Sequence, residues 1–316
     1  MTKKQSGRTK LLVLLGPTAS GKTRLSLSLA QTYGGEIVSG DSMQVYRGMD
    51  IGTAKATPEE RRLVPHHMID ILDPDEPFSV ADFQETARRE IQAIADRGRL
   101  PMVVGGTGLY IESLCYDYRF TEAGSDEAFR EEQHRFALEH GAGALHTRLA
   151  ATDPATAAKL HPNDTRRVIR ALEVAHLTGV PLSEHLAGQT KEPLYDLCLV
   201  GLTMDRALLY ERIERRVDQM MEEGLVQEVR RLREAGYADS LVSMQGLGYK
   251  EIAAYLRGEL TLNDAVALLK KSTRRFAKRQ LSWFRHMPDI HWVDVTEQVN
   301  FPQQLQIIHA IIAGKL

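Results

Sequence analysis

The chain has 316 residues, a formal net charge of −2 and 43% hydrophobic residues, so it can bury a substantial core and is neither disordered nor fibrous in composition. Its two cysteines, Cys115 and Cys198, lie far apart without a CxxC or histidine pairing, which argues against a disulfide framework or a zinc site. No stretch approaches the roughly 18–20 apolar residues that span a bilayer, and the basic start MTKKQSGRTK leads into a short apolar run broken at Gly16 and Pro17 rather than a signal-peptide core, so a soluble protein of the reducing cytoplasm is expected.

The first predicted element is a buried strand, LLVLL at 11–15, followed at once by GPTASGKT and then by the helix-like RLSLSLAQTY. Gly16, Gly21, Lys22 and Thr23 satisfy the spacing GxxxxGK[ST] in the strand-loop-helix context that the motif requires. Glycines let successive amide N–H groups turn toward phosphate oxygens, the following helix presents its positive end, and Lys22 adds a mobile charge. Gly16, Pro17, Thr18, Ala19, Ser20, Gly21, Lys22 and Thr23 are therefore the expected site for a diphosphate or triphosphate. The Thr23 hydroxyl would reach a magnesium ion shared with those phosphates.

Further apolar runs follow in GGEIVSGDS and, after a helix expected over about 81–96, in RLPMVVGGTGLY. Continuous apolar strands separated by helices read as an α/β fold: a P-loop-type parallel sheet core with helices on both faces. Ligands of such sheets sit beyond the carboxyl ends of the strands, so Asp41, Thr107 and the phosphate loop should converge on one edge. Residues 119–193 are polar and helix-like and read as a helical insertion domain. The fourth apolar run, at 197–202, returns to the sheet, several amphipathic helices follow, and HWVDV resembles a last strand. The expected division is 1–118 as the first part of the core, 119–193 as the insertion, and 194–316 as the second part with basic C-terminal helices.

A phosphate loop alone leaves kinase, hydrolase and transferase open. Asp41, following a strand at the sheet edge, could act as base or in a metal shell, or could simply cap the next turn. Asp50 reads equally well as a turn residue. Arg212, Arg215 and Arg216 share a helix, and Arg212 and Arg216 share a face; one could neutralise a departing phosphate group, or the face could be solvated. In KKSTRRFAKRQLSWFR, Lys271, Arg274, Arg275, Lys278 and Arg285 recur at helical spacing among Phe276, Trp283 and Phe284, a pattern able to grip a nucleic-acid backbone, or to bury its aromatics and leave its charges in water. Arg166, Arg167 and Arg170 form a second basic cluster.

Taken together, GPTASGKT, GDSMQVYRGMDIGTAK, PHHMIDI, VVGGTGLY, HPNDTRRVIRALEV, QGLGYKE and AKRQLSWFR resemble the tRNA dimethylallyltransferases of bacterial type along nearly the whole chain. The resemblance implies transfer of a dimethylallyl group from dimethylallyl diphosphate to N6 of adenosine 37 in the tRNA anticodon loop, with Mg²⁺ as cofactor and no hydrolysis of ATP by the loop. It implies Asp41 as base, Thr23 and Arg216 as further catalytic groups, and Thr18 and Arg216 as diphosphate contacts. It also implies tRNA contacts by Asp41, Ser42, Met43, Gln44, Thr107, Arg130, Arg166, Arg167 and Arg170. Further along, the implied tRNA contacts are Gln245, Gly246, Gly248, Tyr249, Lys250, Lys278, Arg279, Gln280, Trp283 and Arg285. A monomer is expected. The rival readings are a phosphate-loop kinase for a small metabolite, a prenyltransferase acting on free AMP or ATP, and a non-catalytic RNA-binding protein with a vestigial loop.

Overall fold

A computed structural model describes residues 7–121, 123–189, 192–296 and 301–316. Its centre is β1 (Lys10–Leu15), in which every residue after Lys10 is fully buried. Such strands need cover on both faces, and the alternation of β1 side chains supplies two separate cores. Leu12 and Leu14 pack on one side with α1 (Lys22–Tyr33), whereas Leu11, Val13 and Leu15 face the other. Each leucine so buried contributes about 1.5–3 kcal/mol relative to exposure.

From α1 the chain enters β2 (Gly35–Gly40), then α2 (Pro58–Leu63), the short β3 (His66–His67), α3 (Val80–Asp96) and β4 (Leu100–Gly105). The α3 start is fixed by a reciprocal cap: Asp82 N–H donates to Ser79 Oγ (3.2 Å) while Ser79 N–H donates to Asp82 Oδ2 (2.8 Å). After α4 (Gly108–Cys115) and the segment described below come β5 (Asp196–Thr203) and β6 (His291–Asp294). The sheet order is β3-β2-β4-β1-β5-β6 and every pairing is parallel. Because β1 is flanked by β4 and β5, with Leu15 opposite both Gly105 and Gly201, the loops leaving β1, β2 and β4 all open at the same edge. A doubly wound sheet binds ligands at this edge, and the expected fold class is the one found.

One face of the sheet is covered by α1, by α10 (Arg206–Glu222) and by α14 (Phe301–Ala313), whose Ile308 and Ile312 are buried; the other by α3 and α4. A third apolar cluster joins the 43–51 loop to α11 (Leu225–Glu234), α12 (Tyr249–Leu256) and α13 (Leu262–Phe284). Strand β3 and helix α14 are elements for which the sequence pattern gave no expectation.

The chain divides into two compact units, 1–116 with 193–316, and 117–192. The regular elements among the second unit's described residues are all helices, α5 (Glu127–His140), α6 (Ala142–Thr152), α7 (Pro154–Ala157), α8 (Thr165–Thr178) and α9 (Leu182–Ala187), around Leu145, Leu149, Val168 and Leu172. Its limits differ slightly from the expected 119–193 because Tyr116 and Pro193 form an antiparallel bridge and Leu194 N–H donates to Cys115 O (3.0 Å), which ties both chain ends to the sheet unit. Among the described residues no helix is long and apolar enough to cross a membrane.

Candidate active site

The loop between β1 and α1 owes its shape to backbone that most residues avoid. Ala19 (φ 62°) and Gly21 (φ 90°) lie in the left-handed region, and Gly21 is the N-cap of α1. Glycine adopts that conformation without strain, so the first turn of α1, starting at Lys22 and Thr23, opens its free N–H groups toward the sheet edge. Lys22 Nζ donates to Gly16 O (2.9 Å) and Pro17 O (2.7 Å), folding its charge over the loop.

Around this loop is a cleft of about 430 Å³. It is lined by Thr18 to Thr23 from the loop, by Asp41, Ser42, Met43 and Gln44 after β2, and by Thr107 after β4. Helix α10 contributes Ile213, Arg216, Val217 and Met220, and α13 contributes Leu269, Phe276, Arg279 and Gln280. Gln245, Gly246, Gly248 and Lys250 close a further side. The cleft thus has an ionic end and an apolar wall.

Three charged groups meet there. Burial brings the Lys22 ammonium down to about 7, an effect deepened by Arg216 and opposed by Asp41. Burial likewise lowers the Arg216 guanidinium, with Asp41 opposing. Asp41 is raised above the ordinary aspartate value, first by desolvation, against the pull of the Met43 N–H, Lys22 and Arg216. A carboxylate held above its usual value is a better proton acceptor, and two partly desolvated cations beside it suit a bound anion. Asp41 Oδ1 also accepts from Met43 N–H (2.9 Å), so the turn-capping role and the position in the cleft coexist. Of Arg212, Arg215 and Arg216 on α10, Arg216 lines the cleft, while Arg215 pairs with Glu211 at the surface (3.3 Å).

Other expected contacts are engaged elsewhere. Gln44 is held at both ends, accepting from Ser39 Oγ (2.8 Å) and donating to Thr53 O (3.2 Å). Ser42 N–H donates to Thr107 Oγ1 (3.1 Å), which locks the ends of β2 and β4 together. Tyr249 is fully buried with its hydroxyl on Glu228 Oε1 (2.7 Å), so its side chain cannot make the tRNA contact expected of it. Trp283 packs against Gly108 and donates Nε1–H to Glu112 Oε2 (2.8 Å). Gln280 is buried and both ends of its amide are bonded within the protein, although the residue also lines the cleft. Lys278, Arg279 and Arg285 are exposed along α13, whereas Lys270 and Arg274 are neutralised by Asp218 and Glu214 of α10. The second unit shows a similar split. Arg166 and Arg167 are exposed, while Arg130 (2.8 Å) and Arg170 (2.6 Å) clamp the fully buried Glu173 and hold that unit's own core.

Glu228 is the principal group that sequence reasoning missed. This buried carboxylate accepts from the N–H groups of Asp50 (3.0 Å), Ile51 (2.8 Å) and Gly52 (3.1 Å) as well as from Tyr249, pinning the loop that runs on from Asp41. Asp50 itself pairs with the buried Lys55 (2.8 Å), which also holds Asp70 (2.5 Å), so Asp50 is a turn residue. Among the described residues no cluster of three or more His, Cys, Asp or Glu side chains is placed to hold a metal. A cation at this edge would have to share the Thr23 hydroxyl and ligand oxygens, the donor set that a phosphate loop offers.

Comparison with known proteins gives a consistent answer. The sequence profile of the family described as IPP transferase matches residues 44–287, and that of isopentenyl transferase matches residues 9–68. The tRNA dimethylallyltransferase of Bacillus velezensis is 56% identical over 306 residues, covering 97% of both chains, and that of Bacillus subtilis is 55% identical with the same coverage. Among solved structures, the tRNA isopentenylpyrophosphate transferase of Bacillus halodurans aligns with a TM-score of 0.73 at 50% identity, over 98% of this chain and 97% of that one. A eukaryotic dimethylallyltransferase acting on tRNA aligns with a TM-score of 0.81 at 31% identity, over 98% of this chain and 80% of that one.

Proposed function

The chain belongs to the IPP transferase family and is a tRNA prenyltransferase, and from that premise we propose that it transfers the dimethylallyl group of dimethylallyl diphosphate to N6 of adenosine 37, giving N6-(dimethylallyl)adenosine and diphosphate. The observation that carries the reading is the meeting of Lys22, Asp41 and Arg216 in one cleft with an apolar wall. The amides at the start of α1 with Lys22 and Arg216 take the diphosphate, and Ile213, Val217, Leu269 and Phe276 flank the five-carbon chain and exclude water.

The bond from C1 of the dimethylallyl group to the diphosphate oxygen breaks with its electron pair going to oxygen, where Lys22 and Arg216 offset the growing charge. The N6 lone pair, weakened by delocalisation into the purine, forms the new bond to C1, and Asp41 accepts the proton that N6 gives up. Mg²⁺, held by the Thr23 hydroxyl and diphosphate oxygens, would supply further neutralising charge on the leaving group. The target base lies in a loop of the RNA and can leave its stack at modest cost. The exposed Lys278, Arg279 and Arg285, with Lys250 at the cleft mouth, give the RNA backbone its cationic contacts.

The test is incubation of the purified protein with dimethylallyl diphosphate, Mg²⁺ and unmodified tRNA, followed by mass analysis of the nucleosides. AMP and ATP serve as alternative acceptors, and a chelator as the metal control. A prenylated adenosine formed from tRNA alone and lost on chelation is the expected result. ATP turnover without prenylated tRNA, or prenylated AMP in its place, would overturn the assignment.

A further inference from the structure

Gln280 is 5% exposed near the C-terminal end of α13, directly after the exposed, basic Lys278 and Arg279, an unusual place for a polar side chain. Both ends of its amide are engaged: Oε1 accepts from Thr18 N–H in the phosphate loop (3.0 Å) and Nε2 donates to Gly106 O after β4 (2.9 Å). These two loops leave adjacent strands, so one side chain from α13 spans the gap between them. The fit is close, since a Cβ at position 106 would stand 2.3 Å from Gln280 Nε2. Ala277 and Phe284, both fully buried, flank Gln280 on the same helical face and hold the rotation of α13 that aims it.

We propose that Gln280 is a positioning residue for the donor diphosphate: by taking the Thr18 N–H it fixes the peptide plane at the head of the phosphate loop and braces that loop against the β4 turn. The anion then meets a loop already in its binding shape, with the later amides and Lys22 directed at it. This role deepens the donor site described above and rests on that reading.

The experiment uses the full-length protein and inorganic diphosphate with Mg²⁺ as probe. Gln280→Met keeps the length and apolar volume but removes both hydrogen bonds. It is expected to weaken diphosphate binding in calorimetry by about tenfold or more, to raise the KM for dimethylallyl diphosphate by a similar factor with a smaller change in kcat, and to leave the tRNA Kd within about twofold. The inference fails if Gln280→Met binds diphosphate as wild type does, or if the loss falls on tRNA affinity instead. A wild-type protein that binds no diphosphate would instead sink the donor-site reading itself. Hydrogen exchange on the wild-type protein provides a measurement independent of how the variant folds: the Thr18 amide should be protected before any diphosphate is added, and rapid exchange there would refute the bond on which the inference stands.

Discussion

Replacing Asp41 by Asn isolates the proton-accepting role because so little else changes. The Asn carbonyl can still accept from Met43 N–H, which now donates to Asp41 Oδ1 at 2.9 Å, so the turn after β2 persists. What disappears is the group that takes the N6 proton, and the expected fall in single-turnover rate is about 10²–10⁴-fold, or about 2.7–5.4 kcal/mol of transition-state stabilisation. Stability should move the other way. Asp41 has a folded-state value raised above 3.8, so its ionised form costs stability at every pH above that value. Asn removes the cost, and the melting temperature at pH 8 should be equal or higher, with the difference closing below pH 3.8. In the wild type, kcat/KM should fall as acidity protonates Asp41, along a limb above the ordinary aspartate range that Asp41→Asn lacks. The assay is transfer of labelled dimethylallyl groups to unmodified tRNA under single-turnover conditions across pH, with thermal unfolding in parallel. A variant that keeps more than about a tenth of the rate, or the acid limb, or that melts well below wild type, would refute the assignment of Asp41 as base.

Lys22, held at about 7 by burial and by Arg216, should be largely neutral at pH 8 until an anion arrives. Diphosphate binding at pH 8 should therefore take up a proton, read by calorimetry in buffers of different ionisation enthalpy. The uptake should shrink progressively as pH falls through about 7 and be absent in Lys22→Arg. Glu228→Gln confronts four donors with an amide that carries donors of its own, leaving at least one buried N–H unpaired; a stability loss of about 3–5 kcal/mol is expected in denaturant unfolding. Neutralising Lys278, Arg279 and Arg285 together should weaken tRNA binding and reduce the slope of log K against log salt by about 2. An unchanged slope would mean that this exposed face of α13 does not meet the RNA.

The local pattern of residues determined much of this protein. The apolar run of β1, the GxxxxGK[ST] spacing and the left-handed glycine it demands are short-range matters of backbone geometry, and they suffice to single out the loop proposed to take the diphosphate. Alternating apolar strands and helices likewise dictated a parallel sheet and hence the edge at which Asp41 and Thr107 meet the loop. The spacing of residues on α10 left Arg212, Arg215 and Arg216 open, and the resemblance alone singled out Arg216; the tertiary structure puts Arg216 on the cleft because that depends on how α10 is rotated over the sheet. Packing of α10 on α13 also decided that Lys270 and Arg274 are spent on Asp218 and Glu214, so the acid-free tract in the sequence is less cationic in space. The same holds for Glu228, which reaches Asp50 across 178 positions of sequence, and for Gln280, which reaches Thr18 across 262. Hydrogen bonds of that span leave no periodicity or motif behind, since they exist only after chain closure has brought the partners together.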